Sequence, residues 1–313
     1  MPNDVTQRAV RDWKNEFFDA LFPIDERVLS IPYSLKRPSN KHQFLDIILP
    51  DRKKTNVELA FQLLNDNIPK SLYKYRAVSK YSLDNFENDT IWVDNPAAYN
   101  DPFDGVSIEN GDVISGLKDI KDSITDDPAY KKFLSDLYTE EFVRELRESF
   151  DAAYTTHAQH TFTIACLSET KSSVLMWSHY ADDHKGFCIR YSGPEIYHSE
   201  EVDKHLFPVK YLARKDSQIP ISALALDYPG LYSVLCKTRD WRYEKEWRIC
   251  FGIEYGMKPR NIHMPKAKGV YLGARMIEDN IKKVLEIATM KRIPAYKEIL
   301  DNTNRKIRFQ KIQ

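Results

Sequence analysis

Apolar side chains recur at near-helical spacing at Trp13, Phe17, Phe18, Leu21 and Phe22, the period that turns one stripe of a helix toward a core. A second apolar cluster follows at Val57, Leu59, Phe61, Leu63 and Leu64, and Pro32, Pro38 and Pro50 interrupt the chain between the two. This pattern predicts a helical N-terminal extension over 1–66 and a main domain over 67–313. Alternation then takes over. Leu72-Tyr73-Lys74-Tyr75-Arg76 reads as a short strand, 82–86 as a helical turn and 90–93 as a second strand. Asn95-Pro96 and Asn100-Asp101-Pro102-Phe103-Asp104 carry turn chemistry. Between about 110 and 157 the chain is charged, with an apolar stripe at Leu134, Leu137, Phe142, Val143 and Leu146 that predicts a helical insertion or lid.

Further strands are predicted at 162–167, 186–191, 207–211, 241–251, 270–272 and 307–312, with helices at 219–237 and 278–289. Strands and helices mix without a regular β-α-β rhythm, so the fold class is α+β rather than a doubly wound sheet.

One segment stands out for its chemistry. In Trp241-Arg242-Tyr243-Glu244-Lys245-Glu246-Trp247-Arg248 an extended backbone would put Arg242, Glu244, Glu246 and Arg248 on one face. Two carboxylates two residues apart on a strand lie about 7 Å from each other. Such a row is either a solvated strand whose charges compensate along its length or the wall of a polar cleft, because burying it requires pairing.

Composition narrows the classes. Lys+Arg and Asp+Glu are each 46, so no overall field draws the chain to nucleic acid or a membrane. The stretch after 290 is locally basic, and reads as a solvated end or a phosphate contact. Aromatic content of 12% speaks for a folded chain. Cys166, Cys188, Cys236 and Cys250 form no C-x-x-C pair, and are expected to be reduced core thiols of a cytoplasmic protein. No His/Cys spacing suits zinc, and no P-loop, G-x-G-x-x-G, H-E-x-x-H or G-x-S-x-G is present. No apolar run approaches the ~18 residues of a membrane span, and no membrane partner is expected.

Three other constellations invite a site. Tyr75 and Arg76 end the first strand of the main domain, where a guanidinium either clamps phosphate or carboxylate or lies over an aromatic surface. Asn100 and Asp101 sit in a turn that follows a strand. In Met176-Trp177-Ser178-His179-Tyr180, Trp177 and Tyr180 are adjacent on a helical turn. They either hold a flat ring beside Ser178 and His179 or anchor a core. Asp101, Asp104, Glu244 and Glu246 could gather Mg²⁺, as in a metal-dependent nuclease, but Arg242 and Arg248 would oppose a divalent ion.

Taken in order, Tyr73-Lys74-Tyr75-Arg76, Tyr99-Asn100-Asp101-Pro102-Phe103-Asp104, Cys166-Leu167-Ser168-Glu169, Met176-Trp177-Ser178-His179-Tyr180-Ala181 with His184-Lys185-Gly186-Phe187, Lys237 with Trp241, Glu244, Glu246, Trp247 and Arg248, and Tyr271-Leu272-Gly273 resemble the bacterial family catalogued as domain of unknown function 2971. A more distant resemblance is to single-chain ADP-ribosyltransferases. Arg76 is similar to their first-strand cation, the 91–104 region or Ser168 to their middle element, and Glu246 to the glutamate of a late strand, with Glu244 completing a Glu-x-Glu pair. Their Ser-Thr-Ser triplet is missing.

That second resemblance implies a mixed, mainly antiparallel sheet and an enzyme of the glycosyltransferase class. NAD would be its co-substrate and no metal would be needed. The acceptor would be a macromolecule, nucleic acid or protein, in a toxin or antiviral (phage) defence setting. Glu246 and Glu244 would be catalytic. Tyr75, Arg76, Asn100, Asp101, Trp177, Ser178, His179, Tyr180 and Arg248 would bind the dinucleotide. A nucleotide- or nucleic-acid-binding sensor without turnover is the alternative reading of the same residues.

Overall fold

The computed structural model describes residues 12–23, 53–101, 103–104, 129, 132, 139–213, 229–252 and 258–313. The chain divides into two units, one of 1–67, 111–137 and 220–229, the other of 68–110, 138–219 and 230–313. In the first, helices α1 (Trp13–Leu21) and α2 (Val57–Asp66) pack on each other through buried Phe17, Phe18, Ala60 and Leu64. Asn56 starts α2 by accepting from the Leu59 amide at 3.0 Å, which satisfies one of the free donors of a first helical turn. The remainder of the predicted extension, 1–11 and 24–52, lies outside the described residues.

The second unit is built on an eight-stranded sheet. Its strands are β1 (Ser71–Arg76), β3 (Phe162–Ser168), β4 (Phe187–Ser192), β5 (Leu206–Pro208), β8 (Glu246–Gly252), β10 (Gly269–Leu272), β11 (Ala295–Asp301) and β12 (Lys306–Lys311). The order across the sheet is β12-β11-β10-β4-β1-β3-β8-β5. Every neighbouring pair is antiparallel except β10 and β11. A 14-residue helix, α8 (Glu278–Lys291), links that parallel pair, as parallel strands require a crossover. Two small ribbons accompany the sheet, β2 (Thr90–Val93) with β9 (Arg260–His263), and β6 (Lys210–Leu212) with β7 (Cys236–Thr238). The chain is therefore mixed α+β with a mainly antiparallel sheet.

Strand alternation sorts the two faces. Pairing puts Leu72 opposite Tyr191, and Phe187 opposite Leu272, and these side chains are buried together with Phe86 of helix α3 (Lys80–Glu87) and Val284 of α8. Helix α3 begins with a capping box in which Ser79 and Ser82 satisfy each other's backbone. The other face is aromatic. Tyr75, Tyr271, Tyr296 and Phe309 gather there around Trp177 of helix α5 (Val174–Tyr180). Burying each such ring removes roughly 150–250 Å² from water, so this cluster fixes α5 firmly on the sheet.

Several expected elements differ. The segment 241–248 is not one strand: a 3₁₀ helix covers Arg239–Glu244, Lys245 takes the left-handed conformation (φ 45°, ψ 53°), and β8 begins at Glu246. The row of side chains drawn from alternation therefore holds only from Glu246 onward, and Arg242 is exposed. The strand expected at 207–211 breaks at Val209, whose amide donates to the Glu246 carbonyl at 3.1 Å, so that β5 and β6 serve different sheets. Of the helix predicted over 219–237, residues 219–228 lie outside the described residues, α7 covers Pro229–Val234, and 236–238 is strand. Of the insertion expected over about 110–157, residues 110–128, 130–131 and 133–138 lie outside the described residues, and a helix runs from Glu140 to Thr161, directly into β3.

Candidate active site

A break in the central sheet creates the cleft. β1 bonds to β4 along its whole length, from Ser71↔Ser192 to Arg76↔Phe187, whereas toward β3 the ladder is reduced to Tyr73↔Ser168. Past that pair a side chain takes over from the backbone, and the Lys74 ammonium donates to the Cys166 carbonyl at 2.8 Å. A cleft of about 390 Å³ opens here, with residues 73–77 on one side and 166–168 on the other, closed by Tyr99, Asn100, His179, Tyr180, Lys237, Glu244 and Glu246.

Its floor is a network of buried charge. Arg248 is 0% exposed, and all five of its N–H donors are used. Nε and Nη2 donate to Glu246 at 2.8 and 3.2 Å, Nη1 and Nη2 donate to the two Asp104 oxygens at 2.7 Å each, and Nη1 also donates to the Val234 carbonyl. Lys237 lies 2.9 Å from Glu244, 3.1 Å from Glu246 and 3.7 Å from Asp104, with the Trp241 ring 5.0 Å away. Tyr180 donates to Glu244 Oε1 and accepts from the Asn100 amide at 3.1 Å. The Ser168 hydroxyl donates to the Glu244 carbonyl, tying β3 to the turn that precedes β8. The backbone amide of Glu246 donates to the Tyr211 hydroxyl at 2.8 Å.

The two glutamates differ in electrostatic character. Burial would raise the Glu246 carboxyl, but Arg248 and then Lys237 outweigh it and hold the group well below the ordinary carboxylate range. Glu244 moves the other way: burial and then the Glu246 charge raise it, and Lys237 and Tyr180 oppose this only in part. Burial would lower Lys237, yet Glu246, Asp104 and Glu244 keep it protonated. Three acids, Asp104, Glu244 and Glu246, thus face two bases, Lys237 and Arg248, and the raised Glu244 is where the surplus negative charge shows.

The β1 wall has the opposite character. Burial, with Arg76 adding repulsion, lowers Lys74 to about 8. The Arg76 guanidinium makes no hydrogen bond or ion pair with any described residue, and Arg76 borders the cleft on one side and a second recess on the other. An unpaired guanidinium beside a partly neutral amine is a ready receptor for a phosphate or carboxylate. The cleft therefore offers an anion-binding wall above an acidic floor.

Of the side chains expected at a site, Tyr75, Arg76, Asn100, His179, Tyr180, Glu244 and Glu246 line this cleft. Tyr75 is largely buried and its hydroxyl donates to the Thr170 carbonyl at 2.8 Å. His179 Nδ1 and the Tyr243 hydroxyl are hydrogen-bonded at 3.0 Å. Four others do not line it. Trp177 is wholly buried among the sheet aromatics, with its indole N–H on the Lys171 carbonyl at 2.8 Å. Arg248 lies beneath the floor. Asp101 is buried and accepts from the Phe103 amide at 3.0 Å. Ser178 is half-buried at the end of α5. Lys74, Tyr99 and Lys237 line the cleft without having been expected there as site residues. For Lys74 the signal was its place two residues before Arg76 on one strand.

Among the described residues no group of three or more His, Cys, Asp or Glu side chains could hold a metal ion. Asp104 and Glu246, two of the carboxylates considered for Mg²⁺, are instead bridged by the Arg248 guanidinium. No described helix is long and apolar enough to cross a membrane.

Fold and cleft together define an α+β domain with a polar site at a break in its central sheet. Residues 176–249, which carry most of α5, Lys237, both glutamates and Arg248, match the sequence model of the family described as "Protein of unknown function (DUF2971)". Comparison with curated proteins returns no match, and neither does comparison with solved structures.

Proposed function

We propose that this cleft binds NAD and transfers its ADP-ribosyl group to a macromolecule, with Glu244 and Glu246 as catalytic residues. One observation carries the reading: a surplus of buried negative charge lies below a wall bearing an unpaired arginine. A ligand suited to both must join a cationic or cation-forming centre to an anionic one. The nicotinamide ring and its ribose supply the first and the pyrophosphate supplies the second. In the reaction the bond between ribose C1′ and the nicotinamide nitrogen breaks, and nicotinamide leaves with the electron pair. Glu246, held ionised by Arg248 and Lys237, stabilises the positive charge that develops on the ribose. The acceptor's nucleophile bonds to C1′ and its proton passes to Glu244, whose raised affinity for protons suits a general base. Arg76 and Lys74 hold the pyrophosphate, and Tyr180 and His179 flank a flat ring.

The test is incubation with NAD labelled in its ADP-ribose part. Nicotinamide release and label on a macromolecular acceptor are expected, both falling at least about a hundredfold in Glu244→Gln and Glu246→Gln, with circular dichroism unchanged. Turnover that survives both changes refutes the assignment. One observation favours a second reading, a nucleotide or nucleic-acid sensor: both Glu246 oxygens are already engaged by Arg248 and Lys237. Saturable NAD binding without nicotinamide release selects it.

A further inference from the structure

A second recess, of about 580 Å³, lies on the other side of Arg76. Helix α3 and its N-cap supply Ser79, Tyr81, Ser82 and Asn85, and the β2–β9 ribbon supplies Trp92 and Asn261, which pair directly across that ribbon. The ribbon explains the placement of Trp92. Ile91 and Val93 turn into the core, so Trp92 turns outward. Tyr81 is 81% exposed and Trp92 43% exposed, and neither ring contacts another ring among the described residues. Large aromatic rings left exposed beside an unpaired arginine forgo part of the burial that usually holds such side chains.

The amides complete the recess. Asn85 donates to Thr90 Oγ1 at 3.1 Å and to Asn261 Oδ1 at 2.9 Å. Those bonds leave the Asn85 carbonyl oxygen and the Asn261 amide N–H groups without a partner among the described residues, a donor–acceptor pair of the kind a base edge engages.

We infer that this recess is a nucleobase subsite, taking a base that carries a phosphate, with the base against Tyr81 and Trp92 and the phosphate on Arg76. Stacking on exposed aromatics tolerates any base. Arg76 makes the recess and the cleft two ends of one binding path. This deepens the NAD reading, because a dinucleotide would lay its adenosine here and its other ribose above Glu244 and Glu246. The subsite stands on its own residues, however, and accepts a free nucleotide or one unit of a single strand.

Titration calorimetry with ADP, with ribose 5-phosphate, and with a short single-stranded oligonucleotide tests it. Both rings are exposed, so Tyr81→Ala and Trp92→Ala leave the fold intact. Each is expected to weaken ADP binding about five- to a hundredfold, to leave ribose 5-phosphate binding unchanged, and to be largely rescued in Trp92→Phe. ADP binding that ignores both rings, or is no tighter than that of ribose 5-phosphate, overturns the subsite unless the oligonucleotide shows the ring dependence. Dependence with ADP marks a free nucleotide as the source, and dependence with the oligonucleotide alone marks a strand. Ring-dependent ADP binding without nicotinamide release upholds the subsite and defeats the transferase reading. Glu244-dependent nicotinamide release that is indifferent to both rings does the reverse.

Discussion

The floor of the cleft makes an unusual prediction: removing a second charge should restore stability lost with the first. Arg248→Met deletes a fully buried guanidinium that holds two carboxylates, Asp104 at 2.7 Å and Glu246 at 2.8 Å. Lys237 alone remains, 3.1 Å from Glu246 and 3.7 Å from Asp104. Breaking a buried ion pair from one side costs about 3–5 kcal/mol, a large fraction of the roughly 5–15 kcal/mol that holds a domain folded. Most of this is the penalty of the carboxylate left behind. Asp104→Asn alone should cost less, about 2–3 kcal/mol, because Asn still accepts from Arg248 and Glu246 still neutralises it.

Combining the two changes leaves Glu244 and Glu246 facing Lys237, which restores the parent's surplus of one acid where Arg248→Met alone has two. The double variant should then be more stable than Arg248→Met alone by about 1–2 kcal/mol, which with the cost of Asp104→Asn alone makes a coupling of about 3–5 kcal/mol, well beyond the ~0.5 kcal/mol within which independent sites add. Urea unfolding followed by tryptophan fluorescence and circular dichroism measures it. If Arg248→Met does not fold, recovery of native dichroism in the double variant is the readout. Additive losses, or an Arg248→Met cost below about 1 kcal/mol, would refute the account of the floor.

Two further predictions concern the β1 wall and the turn beside it. Lys74 titrates at about 8 in the folded protein against about 10.4 in an unfolded chain. The unfolded state therefore binds more protons between these values, and the lysine's contribution is fully present above about 10.4 and lost as pH falls through 8. Lys74→Met should flatten the rise in stability of the parent protein over that window and gain up to about 3 kcal/mol at pH 7; parallel unfolding profiles of variant and parent would sink this. At Gly273 a Cβ would lie 2.0 Å from the His184 carbonyl oxygen and 2.6 Å from its carbon, both backbone atoms. Gly273→Ala should cost about 1–3 kcal/mol or more, and an unchanged melting temperature would show that the turn yields.

What the sequence discloses here depends on whether a pattern is local. β1, β3 and β4 follow from alternation because each has a buried flank that enforces the period of two. The 241–248 segment also alternates, yet Lys245, a lysine in a conformation usually left to glycine, interrupts it, and no residue type announces that kink. Trp177 and Tyr180 are neighbours on one helical turn, as their spacing requires, but spacing does not say which ring turns inward. Trp177, the larger, fills the aromatic layer, and only Tyr180 reaches the cleft.

The charge network is the part that no local reading could supply. Asp104 and Arg248 meet across 144 positions of chain, and Lys237 was placed in an expected helix when it belongs to a strand. The order of blocks could indicate that Arg76, Tyr180, Glu244 and Glu246 share one cleft. It could not indicate that Glu246 would be held as an anion while Glu244 is pushed toward its acid form. That difference arises only where strand pairing sets the Arg248 guanidinium against Glu246 and leaves Glu244 with Tyr180 and Lys237. A burial pattern alone would have favoured apolar residues at these positions, since replacing buried ion pairs by well-packed hydrophobics is often neutral or stabilising. Stability alone therefore does not explain the charges.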